Sequence, residues 1–496
     1  MWFTFCASGL RSATMLNEPL TPKQIVEELD KYIIGQDDAK RAVAIAVRNR
    51  WRRQQLDESL AAEVSPKNII MVGPTGVGKT EIARRLAQLV KAPFIKVEAS
   101  KYTEVGYHGR DVESMIRDLL DLAINMVRNE QAESVKTKAE SIVETRLVNI
   151  LLGKTDSPGP STDDDDISEF FTTEPSDDKP KSGYVSEEDS HLGPPPVDDQ
   201  THHAARELMT RKLREGIFEE KEIEITVTEQ QSIPVIGAMT SDQLDPGMMT
   251  MLEQIMPKKR RTRRVTVAQA RKIFMDEEID KLIDHDKGTE EAIRRTEQSG
   301  FVFLDEIDKI AAAASGRSSA DVSRQGVQRD LLPIVEGSTV STRYGMVRTD
   351  HILFVAAGAF HTASVSDLMP ELQGRFPIRV ELAALTRDDF IRILKEPEHS
   401  LLKQQQALLK TEGLTITYDD EAINTLADYA AQANSSMENI GARRLMTVVE
   451  RLFEKISFDA PELAKNKNTK INITAEMVKE ELESIAKDED LSKFVL

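Results

Sequence analysis

Short apolar runs recur along this chain, at Ile69-Ile-Met-Val72, Phe94-Ile-Lys-Val97, Phe301-Val-Phe-Leu304, His351-Ile-Leu-Phe-Val355 and Ile378-Arg-Val-Glu-Leu382. They are too short for helices and are interrupted by few polar residues, which predicts strands of a parallel sheet buried on both faces. Between them the period lengthens. Ile82, Ala83, Leu86, Leu89 and Val90 recur at helical spacing, as do Ala39, Val43, Val47 and Trp51. Strands alternating with amphipathic helices predict an α/β fold.

The alternation is interrupted after the second run. A long helix is predicted from about Val112, with apolar Met115, Ile116, Leu119, Leu120, Leu122 and Ala123. It leads into residues 155–200, which hold seven prolines and the runs Asp163–Asp166 and Pro194–Pro196. That composition cannot bury enough apolar surface to offset the entropy of ordering, so disorder is expected. Regular patterning resumes with a helix near 203–215 and with Glu222-Ile-Glu-Ile-Thr-Val227, whose alternation predicts a half-buried strand. The methionines at 239, 248, 249, 251 and 256 read either as an adaptable contact surface or as ordinary packing. Beyond Leu385 the pattern turns helical, over 387–409, 419–433, 440–457 and 474–486, with short strands at Leu414–Thr417 and Ile471–Ile473.

Two segments attach chemistry to this frame. Gly73-Pro74-Thr75-Gly76-Val77-Gly78-Lys79-Thr80 follows the first strand directly and opens a helix. In that context the glycines let backbone N–H groups cradle phosphates at the positive end of the helix, Lys79 reaches the β- and γ-phosphates of ATP, and the Thr80 hydroxyl ligates Mg²⁺. Asp305 and Glu306 follow the third strand at its C-terminal end, where ligands bind in open α/β sheets. Asp305 is expected to hold Mg²⁺ through its water shell and Glu306 to activate the attacking water, while Asp308 reads as structural. Ile33 and Ile34, just before the helix that precedes the glycine loop, read as the wall of an adenine pocket or as a hydrophobic staple. Arg375 lies between the fourth and fifth strands and reads as a finger toward a neighbouring copy's γ-phosphate, with a surface ion pair as the alternative. Arg443 opens a C-terminal helix and is placed to contact phosphate; Arg444 beside it reads as solvated surface.

Charge changes the picture in one place. The chain of 496 residues carries 65 Lys and Arg against 84 Asp and Glu, a net charge of −19, and residues 155–200 hold 14 acids but only two lysines. A balance this acidic argues against nucleic acid as the main partner. The run Lys258-Lys-Arg-Arg-Thr-Arg-Arg264 stands out against it, as a counter-charge or a solvated loop. Cys6 is the only cysteine, which excludes an intrachain disulfide and a four-cysteine zinc module. No apolar run approaches the roughly 18–20 residues of a bilayer span, so a soluble chain with no membrane partner is expected. The first 17 residues lack acids, and read either as a disordered extension of a cytoplasmic protein or as a transit peptide to the mitochondrial matrix.

These motifs, together with Tyr32-Ile-Ile-Gly-Gln-Asp-Asp-Ala-Lys40, Glu371-Leu-Gln-Gly-Arg-Phe376 and Asn439-Ile-Gly-Ala-Arg-Arg-Leu445, resemble AAA+ ATPases of the Clp/Hsp100 class, most closely the HslU (ClpY) family. The resemblance covers roughly residues 18–150 and 205–496. It implies an ATP-dependent unfoldase, a homo-hexamer that passes client proteins to an HslV-type peptidase. It further implies that Gly106-Tyr107-His108-Gly109 is the pore loop gripping the client, with His108 where the family has valine. By the same resemblance Leu491, Phe494, Val495 and Leu496 belong to a tail that docks on the peptidase. A ClpX-like unfoldase or a nucleic-acid-remodelling motor is the alternative. The strand Phe354-Val-Ala-Ala-Gly358 departs from many AAA+ proteins in carrying no polar γ-phosphate sensor. The expected organisation is an extension over 1–17, an AAA+ domain over 18–125 and 270–385, an inserted intermediate domain over 126–269 containing the disordered tract 155–200, and a small helical domain over 386–496.

Overall fold

The computed structural model describes residues 20–102, 110–152, 199–229, 259–311, 319–436, 439–465 and 469–486. The pore-loop residues 106–109, most of the acidic tract, the five methionines and the docking tail lie outside them, as does the extension over 1–17.

The five apolar runs form one parallel sheet. Its strands are β1 (Ile69–Val72), β2 (Phe94–Glu98), β3 (Phe301–Asp305), β4 (Leu353–Gly358) and β5 (Ile378–Glu381), in the order β2-β3-β4-β1-β5. Ile69 pairs with Val355 on one side and Ile378 on the other, and Phe301 pairs with both Phe94 and Leu353. Successive side chains of a strand leave on opposite faces, so each run feeds two cores. Ile70, Val302, Leu304, Phe354 and Ala356 pack with Met115, Ile116, Leu119 and Leu331 on one face. Ile69, Met71, Phe301, Phe303, Val355 and Ala357 pack with Val43, Ala44, Ile82 and Leu86 on the other. All of β4 is buried, which accounts for its lack of polar residues.

The end of the sheet away from the strand C-termini is closed by Arg50. Its guanidinium donates to the carbonyl oxygens of Gln298, Ser299, Gly300 and His351, at 2.9 to 3.1 Å. The first two close the helix His285–Ser299, whose last carbonyls have no partner within the helix. Burial, and then the charge of Arg53, lower the Arg50 pKa to about 9, which still leaves it cationic at neutral pH.

The C-terminal helices surround a core of their own, with Phe390, Leu394, Leu426, Leu445, Val449 and Phe453. The span 387–409 is two helices, Arg387–Lys395 and Leu401–Thr411, because Pro397 cannot continue the first. Thr415–Tyr418 and Lys470–Ile473 pair in parallel beside them.

Residues Arg128–His285 form a separate compact unit. This places the helix Val267–Leu282 inside the insert, beyond the boundary expected at 269. The unit is built on the later part of the helix Ser114–Leu151, the helix Asp199–Arg214 and an antiparallel pair, Glu222–Glu229 with Lys259–Thr266. From Lys259 onward the basic run is therefore a strand rather than a loop, and the counter-charge reading is the one that fits. It registers against an acidic strand, with Glu224 opposite Arg264 and their side chains paired at 2.7 Å. The unit's core is small: Val143, Leu147, Leu213, Ile223, Ile225, Ala270 and Phe274 are among its members. The Arg146 guanidinium stacks 3.8 Å from the Phe274 ring centroid and pairs with Glu277 and Glu278. Phe274→Ala should cost this unit about 3–5 kcal/mol. Hydrogen exchange should then show lost protection at Ile223 and Ile225, and unchanged protection would contradict the placing of Phe274 in a core shared with them.

Candidate nucleotide site

At the C-terminal end of β1 the chain turns through Gly76 and Gly78, both left-handed with φ of 75° and 100°. L side chains rarely adopt that backbone, which explains the spacing of the glycines. Gly78 opens the helix Lys79–Leu89, whose first N–H groups and dipole are directed at the loop. Lys79 is buried. Its ammonium donates to the Gly73 carbonyl and, at 3.1 and 3.2 Å, to those of Pro74 and Gly358. Burial holds its pKa below the usual lysine value; Asp305 and Asp308 pull it back up, and the charge of Arg443 lowers it further.

Asp305 closes β3 with its carboxylate 3.5 Å from the Thr80 hydroxyl and 2.8 Å from the Lys96 ammonium on the adjacent strand β2. An oxygen pair of this kind suits a hard divalent cation such as Mg²⁺. Glu306 follows with φ of 58°, a strained conformation for a residue with a side chain. Its carboxylate pairs with Lys309 at 2.8 Å and accepts from the Ser100 hydroxyl at 3.0 Å. The hydrogen bond from Lys309 is the main reason that its pKa lies below the ordinary carboxylate range; Ser100 adds to this, while burial and Asp305 oppose it. Glu306 is thus held as the carboxylate by two donors.

Asp308 accepts from the Phe360 backbone N–H at 3.3 Å, the structural role expected of it. A Cβ at Gly358 would come within 2.6 Å of the Phe360 ring and 2.8 Å of the Asp308 carboxylate. There is no room for a sensor side chain there, and the main-chain carbonyl of Gly358 meets Lys79 instead.

Ile33 and Ile34 are buried, and the Ile33 side chain lies 3.8 Å from where Gly78 would carry a Cβ. Their loop is tied to the helical domain at Glu398 and to the chain just after β5 at Ala383. Tyr32 donates to Glu398 at 2.7 Å, the Glu398 N–H donates to the Lys31 carbonyl at 3.0 Å, and the Gln36 amide exchanges two hydrogen bonds with the backbone of Ala383.

Comparison with known proteins now places this geometry. Residues 69–167 match the model of the ATPase family associated with various cellular activities (AAA), and residues 223–379 match the AAA domain (Cdc48 subfamily). The ATP-dependent protease ATPase subunit ClpY of Bacillus subtilis is 50% identical over 97% of this chain and all of its own length. The ATP-dependent protease ATPase subunits HslU of Desulfotalea psychrophila and Geobacillus kaustophilus are 51% and 50% identical, again over 97% of this chain and all of theirs. The chain belongs to the HslU/ClpY family of AAA+ ATPases.

For a member of the HslU/ClpY family, the position of the arginines is informative. The segment opening the helix Ala442–Lys465 touches the glycine loop directly: the Ala442 N–H donates to the Gly76 carbonyl at 3.0 Å. A Cβ on Gly76 would collide with the Ile440 carbonyl, and one on Gly441 would lie 2.7 Å from the Gly76 oxygen. Arg443 is exposed at this junction, near enough for its charge to bear on Lys79. Arg444 is not solvated surface: it is buried, at 5% exposure, because the helical face that carries Leu445 and Val448 into the core takes it along. Arg375 is not gathered into its own chain's site. Its carbonyl accepts from Asn68, at the start of β1, and its guanidinium pairs with Glu336 at 2.8 Å. It therefore sits toward the strand N-termini, away from the glycine loop that follows Val72.

Ser100, Lys309 and Lys96 carry no signal in the sequence, since a lone serine or lysine beside a strand end, or within an otherwise apolar strand, has no spacing to mark it. Lys309→Met should raise the Glu306 pKa by removing its main stabilising partner, so the acidic limb of the ATPase pH profile should move to higher pH. Ser100→Ala should move it less. A limb that stays in place in both variants would separate Glu306 from the titration.

Proposed function

We propose that this HslU/ClpY-family chain is a ring-forming unfoldase, a homo-hexamer that spends ATP to pull client proteins into an HslV-type peptidase and activates that peptidase. The observation that carries this reading is the hydrogen bond from Ala442 to Gly76, which joins the phosphate loop to the helical domain without an intervening side chain. A change in what the loop holds is passed directly to the domain. The names of the full-length relatives, ATPase subunits of an ATP-dependent protease, support the partner.

In the proposed cycle Lys79 exchanges its carbonyl partners for the β- and γ-phosphate oxygens of ATP, and Ile33 and Ile34 enclose the base. Thr80 and Asp305 would hold Mg²⁺, which supplies charge neutralisation on the phosphates. Glu306 accepts a proton from the attacking water as the bond to the γ-phosphorus breaks. Arg375, directed away from its own site, serves the γ-phosphate of a neighbouring copy. Arg443 and the junction at Gly441 convert loss of that phosphate into rotation of the helical domain. Tyr107, the apolar member of Gly106-Tyr107-His108-Gly109, moves the client, and the tail bearing Leu491, Phe494, Val495 and Leu496 docks on the peptidase. The basic strand Lys259–Thr266 is already matched to an acidic partner strand, which weakens the nucleic-acid alternative.

Mixing the protein with an HslV-type peptidase and ATP, and following cleavage of a small peptide, tests the reading. Glu306→Gln should retain ATP binding and lose turnover by about 10²-fold or more. Removal of residues 488–496 should abolish peptidase stimulation while ATP hydrolysis continues. A truncated chain that still stimulates the peptidase would refute the docking assignment.

A further inference from the structure

Lys40 belongs to no motif that the phosphate chemistry uses, yet among the described residues of the nucleotide domain it is the least exposed charged side chain, at 2%. An ammonium is removed from water at a high cost unless it is paired, so its partners show what it holds. The helix Pro22–Asp30 ends at one of them, Asp30, and the helix Asp37–Gln54 begins at another, Asp37, 3.4 Å from the ammonium. The third is the carbonyl oxygen of Ile33, at 3.2 Å, in the loop between the two helices. One cation thus ties both ends and the middle of the segment that carries Ile33 and Ile34. The second helix has no side-chain cap at its start, because Gln36 is left-handed and its amide is engaged with Ala383.

We propose that Lys40 is a positioning residue for the nucleotide base: it sets the conformation of residues 31–36 and through them the fit and selectivity of the adenine pocket. The inference rests on the reading of Ile33 and Ile34 as that pocket. It separates the site into two halves, a phosphate cradle at 73–80 that Lys40 does not touch and a base wall that depends on it.

Competition binding on the full chain tests this with ATP, GTP and inorganic tripolyphosphate as probes. Lys40→Met should weaken ATP binding by about tenfold and reduce the preference for ATP over GTP, while tripolyphosphate binding changes by less than about twofold. Asp30→Asn, which leaves Lys40 and its packing in place, should shift ATP binding in the same direction by a smaller factor, and it decides the question if Lys40→Met does not fold. Equal losses for ATP and tripolyphosphate would overturn the proposal, since they indicate general damage to the site. Unchanged base preference in both variants would overturn it as well. Ile34→Ala separates the two readings: if it abolishes base preference while Lys40→Met does not, only the role of Lys40 falls. If Ile34→Ala has no effect on ATP binding or base preference, the pocket itself is misassigned.

Discussion

The whole arrangement depends on a contact between two stretches of bare backbone. At Gly76 and Gly441 the phosphate loop and the start of a C-terminal helix approach until their main chains touch, and a hydrogen bond from Ala442 closes the gap. Packed side chains can slide and change rotamer when a ligand arrives. Between two glycine backbones there is no side chain to take up a displacement, so the loop and the helix start meet main chain to main chain. The helical domain, with its separate core, is therefore coupled to the loop through main chain, and the ties from Tyr32 and Lys31 to Glu398 join the same domain to the segment that carries Ile33 and Ile34.

The electrostatics of the site follow from the sheet. Its central strands are buried on both faces and can carry no charge along their length, so the carboxylates appear only where β3 ends. There the cations are divided among them: Lys96 faces Asp305, Lys309 faces Glu306, and Lys79 is left with neutral carbonyls. That division leaves the loop lysine uncommitted to any carboxylate and Glu306 in its ionised form, an arrangement compatible with the proposed cycle.

Much of this was legible in the chain because the constraint was local. A phosphate loop needs glycines at set positions after a strand, and doubly buried strands leave continuous apolar runs. What escaped reading was set by tertiary contact. Pro397 was visible, yet the apolar period on either side of it concealed a break. The helix Val267–Leu282 carries apolar residues that would suit either unit, so its periodicity alone does not mark where the insert ends. The basic run reads as a counter-charge or a solvated loop because six charges mask strand alternation; the counter-charge is what the Glu224–Arg264 pair shows, while the strand itself is legible only in the alternation of its acidic partner. Lys40 and Arg444 look like solvated residues of helices, and only the packing around them shows otherwise.

The missing polar residue in β4 has a wider meaning. Most features of a catalytic site are open to point mutation, since each side chain is one codon away from another. The atom of Gly358 that meets Lys79 is a peptide oxygen, which every amino acid supplies, and the crowding by Phe360 and Asp308 disfavours any replacement for the glycine itself. At this position the protein has entrusted contact with Lys79 to a group that exchange of amino acids cannot delete. Evolutionary tuning of that contact is thereby diverted to the neighbours that set its distance.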